Sequence, residues 1–174
     1  MWLQEMAISV EELLSVNSVA VGITLLLAIV LGQWAWGQWQ AMRFHKAWAK
    51  AQGALAVNDL AAAEEAVRAC TAIAPVSGQL RRVYGSILAR SGKLAEAEEQ
   101  LRFGADLEPR NAAGHLDLGY FLVACYPDRI EAAVDALSRA LECSPELRAT
   151  LADAPELHGL RQHERFRNLL QTKG

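Results

Sequence analysis

The distribution of hydrophobic positions divides the chain into two parts. From Leu13 to Met42 no side chain carries a charge, and apolar residues are dense between Val19 and Leu31. From Arg43 onward, apolar residues recur every three to four positions with charged residues between them, which is the spacing of amphipathic helices. The pattern therefore predicts one uniformly apolar helix, followed by several helices that each have one side to bury.

The uncharged part is long enough to cross a bilayer. A helix needs about 20 apolar residues to span the hydrocarbon, and nine of the residues from 18 to 36 are Leu, Ile or Val. On an insertion scale such residues contribute roughly −3 to −5 kcal/mol together, and no charge opposes them. We therefore predict a transmembrane helix over residues 17–39. Its expected interface with water consists of an aromatic belt and one cation, Trp34, Trp36, Trp39 and Arg43.

Two other interpretations of this segment fit less well. A cleaved export signal begins with basic residues and ends in a small-residue cleavage site. Here no Lys or Arg precedes residue 43, and the bulky sequence Gln-Trp-Ala-Trp stands where cleavage would occur. A core helix of a soluble protein would need other helices to cover it on every side. A membrane span needs neither a cleavage site nor other helices to cover it.

The basic residues indicate an orientation. All 17 Lys and Arg lie at or after Arg43, and Lys46 and Lys50 follow closely behind the span. Under the positive-inside rule, the C-terminal part lies in the cytoplasm and the acidic tail, residues 1–16, lies outside, where it forms a short interfacial helix or frays. Arg outnumbers Lys 13 to 4, which favours a GC-rich bacterial genome and hence an inner membrane.

Beyond the span the sequence repeats. Ala63 and Ala97 are 34 residues apart, as are Pro75 and Pro109, and a third member of each set follows 36 residues later. Each unit contains a turn residue, an apolar residue, a small alanine and an amphipathic helix that stops at proline. The aligned segments read NDLAAAEEAVRACTAIAP (58–75), GKLAEAEEQLRFGADLEP (92–109) and DRIEAAVDALSRALECSP (128–145).

This pattern resembles the tetratricopeptide repeat, a 34-residue hairpin of two helices that cross at small residues. The resemblance implies an all-α fold, a right-handed solenoid of three repeats at residues 44–77, 78–111 and 112–145. Stacking is needed because a single hairpin cannot cover its own apolar face. The small residues are Ala51, Gly85 and Gly119 in the first helices, and Ala63, Ala97, Ala133, Cys70, Gly104 and Ala140 in the second helices.

Residues 146–174 are expected to cap the last repeat. The ending DAPELHGLRQHERFRNLL is similar to tails that terminate tetratricopeptide arrays. At the other end of the array only Gly37 and Gly53 interrupt the helical pattern, so we expect the span to continue into the first repeat as one helix up to about residue 56. The cap residues expected to point inward are Leu147, Leu151, Leu157, Leu160, Phe166 and Leu169.

Tetratricopeptide arrays bind peptides or helices along a groove lined by the first helix of each repeat. An aromatic pair with one guanidinium would suit a partner that carries apolar anchors and a carboxylate. The alternative is that Trp48 lies at the membrane interface and Tyr120 packs on the cap. Chaperone-binding members grip a C-terminal carboxylate with Lys, Asn and Arg at set groove positions, and this clamp is missing here. The residues that the resemblance assigns to the groove are His45, Trp48, Gln52, Gln79, Arg82, Ser86, Leu116, Tyr120 and Val123.

The sequence contains no pattern typical of catalysis, a cofactor or a metal. The four His are scattered, and no Gly-rich phosphate loop, nucleophile elbow or ligand cluster is present. Three widely spaced Cys without a CxxC pair indicate neither a disulfide framework nor a zinc site. Charges of both signs are interspersed beyond residue 43, and Arg81-Arg82 is the only basic doublet, so a nucleic-acid partner is not expected either.

These observations predict a non-enzymatic, single-pass membrane scaffold that binds a protein partner. The partner is expected to include an integral membrane protein, with this chain as an accessory or assembly component of its complex. No cofactor and no small-molecule substrate are expected. Two alternatives remain open: a periplasmic or lumenal chaperone-like module of the opposite orientation, and a structural subunit whose span packs inside a multisubunit membrane enzyme.

Overall fold

The computed structural model describes the backbone of residues 2–171 and the side chains of residues 20–171. Over this range the chain is helical and contains no strand, which confirms the predicted all-α fold. The helices are α1 (Trp2–Ala56), α2 (Leu60–Ile73), α3 (Gly78–Arg90), α4 (Leu94–Leu107), α5 (Ala112–Cys125), α6 (Ile130–Cys143), α7 (Leu147–Asp153) and α8 (Glu164–Gln171), with a 3₁₀ segment at Pro155–Gln162.

The chain divides into two compact units, Met1–His45 and Lys46–Gly174. Helix α1 passes through Gly37 and Gly53 without interruption, and it contains both the predicted span and the first helix of repeat one. The backbone of the acidic tail is helical from Trp2, while the tail's side chains lie outside the described part. The end of the predicted cap, residues 172–174, also lies outside it.

The unit Lys46–Gly174 is built of helix hairpins that share a core. Ala51 near the end of α1 and Ala63 on α2 are both fully buried in one cluster, and α3 pairs with α4 as α5 does with α6. The first helix of each hairpin also contributes to the core. Tyr84, Leu88 and Leu122 are buried in one cluster with those alanines.

The small residues lie where the paired helices touch, as the repeat pattern predicts. A Cβ atom on Gly85 would lie 2.7 Å from Leu101 Cγ and 3.1 Å from the carbonyl oxygen of Ala97. A Cβ atom on Gly119 would lie 2.7 Å from Leu137 Cδ2. Close packing leaves no room for even one methyl group there. The expectation that glycine permits the helices to approach is confirmed.

The turns inside the first two hairpins use the same unusual backbone conformation. Asn58 has φ of 59° and Gly92 has φ of 79°, and the two residues are 34 positions apart. Glycine and asparagine are the residues that adopt this left-handed region at least cost. The Asn58 side chain also accepts a hydrogen bond from Arg90 Nη2 at 2.6 Å, which links the first hairpin to the second.

A buried carboxylate connects the first repeat with the second. Glu64 on α2 is 8% exposed and pairs with Arg68, one turn later, at 2.7 Å. It also accepts from Lys93 Nζ at 2.8 Å. Lys93 precedes α4 at the position that Asp59 occupies before α2, but only Asp59 caps its own helix by accepting from Ala62 N. The position just before the second helix of the hairpin therefore holds a helix-capping residue in repeat one and an ion-pair partner in repeat two.

The same arrangement connects the second repeat with the third. Glu98, 34 positions after Glu64, pairs with Arg102 at 2.8 Å and with Arg129 at 2.7 Å. Hydrogen bonds from Arg129, and then from Arg102, hold the pKa of the Glu98 carboxyl below its usual range, against the opposing effect of burial. The equivalent position in the third repeat is Val134, which is buried against the cap, so the ionic series ends where the array ends.

The C-terminal segment closes the array with a second apolar core. Phe166 on α8 is fully buried and packs with residues of α6, α7 and the 3₁₀ segment. Outside this core, Arg165 on α8 binds Asp135 at 2.7 Å and also binds Glu131. These two ion pairs connect α8 to α6. The inward positions expected from the sequence agree with this packing: Leu151, Leu157, Leu160 and Phe166 are buried, and Leu147 and Leu169 are half-buried against the same cluster.

Candidate partner-binding groove

A cleft between α3 and α5 brings together three of the residues assigned to the groove. It has a volume of about 360 Å³, and its lining includes Arg82 and Ser86 from α3 and Tyr120 from α5. These side chains share the cleft because they come from the first helices of two adjacent repeats. Ser86 is exposed, and Arg82 and Tyr120 are half-buried.

One of the two guanidinium groups that line this cleft, that of Arg82, is already occupied. Arg82 Nε donates to Asp117 Oδ2 at 2.6 Å, and Asp117 itself lines the cleft from the next repeat. Charge-assisted hydrogen bonds of this length are strong. A carboxylate on a partner would therefore compete with Asp117 for Arg82. A partner carboxylate that leaves the Arg82–Asp117 pair intact would have to bind Arg90, which also lines the cleft and donates to Asn58 Oδ1.

Tyr120 belongs to both the cleft and the cap. Its ring packs against the C-terminal core, as one interpretation of the sequence held, and it also lines the cleft. Burial, and then the negative charge of Glu156, raise the pKa of the Tyr120 phenol. The hydroxyl therefore stays protonated at neutral pH and can donate a hydrogen bond to a partner.

The other two predicted residues on α5 lie in different cavities. Val123 lines a pocket of about 320 Å³ between the third repeat and the 3₁₀ segment, which we call the cap pocket. Leu116 lines an open depression of about 770 Å³ beside Asn111 and Leu147. Helix α5 thus presents side chains to three cavities rather than to one uniform groove.

The remaining predicted residues do not line these three cavities. His45 is exposed in the unit Met1–His45, with its ring 6.0 Å from that of Phe44. Trp48 is half-buried against the repeat core. Gln52 and Gln79 are exposed on their helices. The structure therefore gathers the candidate site around α3, α5 and the cap.

Several residues of the site were not assigned to the groove from the sequence. Asp117 follows Arg82 by 35 positions, which is one period plus one residue. The repeat spacing alone would therefore have placed the two residues on the first helices of adjacent repeats. Arg90 and Ala124 also line the cleft. Glu156 and Gly159 line the cap pocket, but no periodic signal in the sequence points to them.

The residues predicted to lie at the membrane interface are exposed on α1. Trp34, Trp36 and Trp39 are 64%, 59% and 43% exposed, and the rings of Trp36 and Trp39 are 4.8 Å apart. The Arg43 guanidinium lies 4.6 Å from the centre of the Trp39 ring. From Ala20 onward, α1 is long and apolar enough to cross a membrane. Among residues 20–171, no three His, Cys, Asp or Glu side chains converge as a metal site would require.

No protein-family model matches this chain, and no curated protein is similar to it. Several solved structures are similar to this chain. The TPR2B domain of yeast Sti1, in a complex with pHsp70, superimposes on 76% of this chain and 99% of its own length with a TM-score of 0.53 and 15% identity. The chain has the tetratricopeptide-repeat fold.

Two further solved structures share the tetratricopeptide-repeat fold with this chain. MamA from Desulfovibrio magneticus RS-1, resolved from its residue 41 to its end, matches 60% of this chain with a TM-score of 0.54 and 20% identity. A point mutant of the Thermobaculum terrenum O-GlcNAc transferase matches 68% with a TM-score of 0.56 and 28% identity. The match spans 58% of the MamA chain and 23% of the transferase chain, so it concerns the helical repeats rather than these whole proteins.

Proposed function

We propose that this chain is a membrane-anchored tetratricopeptide-repeat scaffold that holds a protein partner at the membrane. The observation that carries the proposal is the surface of α1. The large apolar side chains of Leu25, Leu26 and Leu31 are 60%, 64% and 62% exposed. By contrast, Leu88, Leu122 and Leu137 of the repeats are fully buried. An apolar surface of this length is unfavourable in water and favourable in lipid.

The direction of the span follows from the charges that flank it. Arg43, Lys46 and Lys50 follow the apolar stretch, and no basic residue precedes it. The proposal places the repeats in the cytoplasm and the acidic tail outside, in a bacterial inner membrane. A partner that reaches repeats held at a membrane is itself expected to include an integral membrane protein. The role is non-catalytic, that of an accessory or assembly component.

The span can be tested by introducing charge. Replacing both Leu26 and Ile29 by arginine is expected to move the protein from carbonate-washed membranes to the soluble or degraded fraction, because each central arginine costs about 2.5–3.5 kcal/mol of insertion free energy. The matched control replaces Val57 and Val76, which are 75% and 77% exposed in the repeat unit, by arginine. The control protein should stay in the membrane fraction.

Protease protection tests the orientation. In spheroplasts, whose outer membrane is opened and whose inner membrane is sealed, an epitope attached after Gly174 should resist protease. It should be digested once the inner membrane is opened. Digestion in the sealed spheroplasts would mean that the repeats lie outside, as in the chaperone-like alternative. Equal release of both arginine variants would contradict the span itself.

The binding surface can be mapped with a photo-crosslinking amino acid. Placed at Ser86 or Ala124, which are exposed and line the cleft, it is expected to give discrete protein adducts in native membranes. Placed at Ala69 on α2 or Glu99 on α4, which are exposed outside the cleft, it should give at least about tenfold less adduct, since a specific interface buries one patch only.

Equal crosslinking from both pairs of positions would contradict a role for the cleft. Adducts from positions in the span alone would favour the structural-subunit alternative, in which the membrane helix makes the main contact.

A further inference from the structure

The cap pocket combines apolar walls with one acidic residue. Its volume is about 320 Å³, and it lies where α5, the start of α6 and the 3₁₀ segment meet. Val123, Ile130 and Leu160 provide aliphatic surface, and the backbone of Gly159 leaves the mouth of the pocket without a side chain. Glu156 is the acidic residue of its lining.

Among residues 20–171, no basic side chain pairs with the carboxylate of Glu156. Within the described range it forms no hydrogen bond and no ion pair, and it is exposed. The basic residues that adjoin the lining in sequence have other partners. Arg129 lies 5.1 Å from the centre of the Tyr126 ring and binds Glu98 at 2.7 Å, and Arg161 donates to the carbonyl oxygen of Ala152 at 2.8 Å. An uncompensated negative charge therefore lies beside an apolar cavity.

We propose that the cap pocket receives a lysine or arginine side chain from the protein partner. The methylene stem of that side chain lies against Val123, Ile130 and Leu160, and its cationic head pairs with Glu156. Lys and Arg are the side chains that present an apolar stem and a charged end together. This inference rests on the proposed function, because it specifies the chemistry of the partner which the scaffold holds.

Other occupants fit this pocket less well. A purely aliphatic side chain would fill the cavity but would displace water from Glu156 without replacing its hydrogen bonds. An acidic side chain would meet the Glu156 charge directly and be repelled. Tyr120, which lines the cleft, packs against the same C-terminal core as Val123 and Ile130 of the cap pocket.

The test measures the preference of the full-length protein, held in an uncharged maltoside detergent, for one side chain. Three fluorescein-labelled peptides share the same Ala-Gly-Ser sequence and differ at one central residue: arginine, norleucine or glutamate. Fluorescence anisotropy should show the arginine peptide binding about fivefold more tightly than the norleucine peptide, the upper range for a solvent-accessible ion pair. The glutamate peptide should bind most weakly.

Two variants assign this preference to the pocket. In Glu156→Gln, which keeps the shape and removes the charge, the arginine and norleucine peptides should bind within about twofold of each other. The matched control Glu142→Gln changes an exposed carboxylate on α6 outside the pocket and should keep the full preference. Circular dichroism should show equal helicity for all three proteins.

Three results would overturn the inference: equal binding of the arginine and norleucine peptides, no binding of any peptide, or an arginine preference that survives in Glu156→Gln. Each is distinguishable from failure of the proposed function. Crosslinking at Ser86 reports whether a partner occupies the cleft, whatever side chain the cap pocket prefers.

Discussion

Replacing Gly85 by alanine is expected to lower the free energy of unfolding of the repeats by about 2 kcal/mol. The new methyl group would meet Leu101 Cγ at 2.7 Å and the Ala97 carbonyl oxygen at 3.1 Å. Neither can yield easily, because Leu101 is 3% exposed, Ala97 is fully buried and the oxygen belongs to the α4 backbone. Forcing a methylene into a filled core typically costs about 1–3 kcal/mol, and this exceeds the gain in helix propensity of about 1 kcal/mol.

Gly53→Ala is the matched control for this substitution. Gly53 also lies inside a helix of the repeat unit, but a Cβ atom there would meet no atom within 4 Å. Only the propensity gain remains, so this variant should be more stable by about 0.5–1 kcal/mol. Urea unfolding of the detergent-solubilised protein, followed by circular dichroism, should therefore give opposite signs for the same chemical change. Changes of the same sign would mean that the two helices are not in close contact at Gly85.

The different surroundings of Gly85 and Gly53 show why the fold was predictable from the sequence. A helix crossing imposes its steric requirement at one position of every repeat, so small residues recur at Gly85 and Gly119 as do Ala97 and Ala133 in the facing helices. Helix ends are encoded just as locally, through proline and the left-handed turns. A requirement that recurs every 34 residues can be recognised without knowing what each residue touches.

The site was harder to predict from the sequence. Its contacts depend on which two side chains meet, and not only on the position of each residue within its repeat. The repeat resemblance placed Arg82 on the inner face, yet it could not show that Asp117 would engage it at 2.6 Å. Because of that contact, a partner carboxylate would have to compete with Asp117 for Arg82. The sequence specified where a side chain would lie but not what would already be bound to it.

The cap pocket was the least accessible feature. Its lining brings Val123, Ile130 and Glu156 together from three separate elements. The segment after residue 145 follows no repeat, so only its apolar positions could be interpreted, as an inward face. In the sequence Glu156 looks like any other surface carboxylate; the fold places it beside a cavity, where none of the basic residues from 20 to 171 pairs with it.

Phe166→Ala is expected to have a larger effect than Gly85→Ala, and a more local one. Phe166 is fully buried in the C-terminal core, against residues that include Val134, Leu137 and Leu157. Removing a buried aromatic ring typically costs about 3–5 kcal/mol. In a repeat array each unit is stabilised mainly by its neighbours, so the loss should fall on the cap and then on the third repeat.

Hydrogen exchange measured by mass spectrometry can locate this loss. In Phe166→Ala, exchange should accelerate over residues 147–171 and in α6, and much less in α3 and α4, because opening at the end of an array need not open its middle. The matched control is Phe103→Ala. Phe103 lies on α4 with 43% of its surface exposed and Arg81 stacked 4.8 Å from its ring centre, so its loss should cost less than about 1 kcal/mol.

The location of the accelerated exchange in Phe166→Ala decides between two descriptions of how the array unfolds. Acceleration confined to the C-terminal elements would mean that the ion pairs at Glu64 and Glu98 and the glycine crossings sustain the first two repeats without the cap. Uniform acceleration would mean that the three repeats and the cap open as one cooperative unit, in which case the C-terminal core supports the cleft as well. Since Tyr120 packs against that core while lining the cleft, the second outcome would make partner binding depend on Phe166 even though its ring is fully buried.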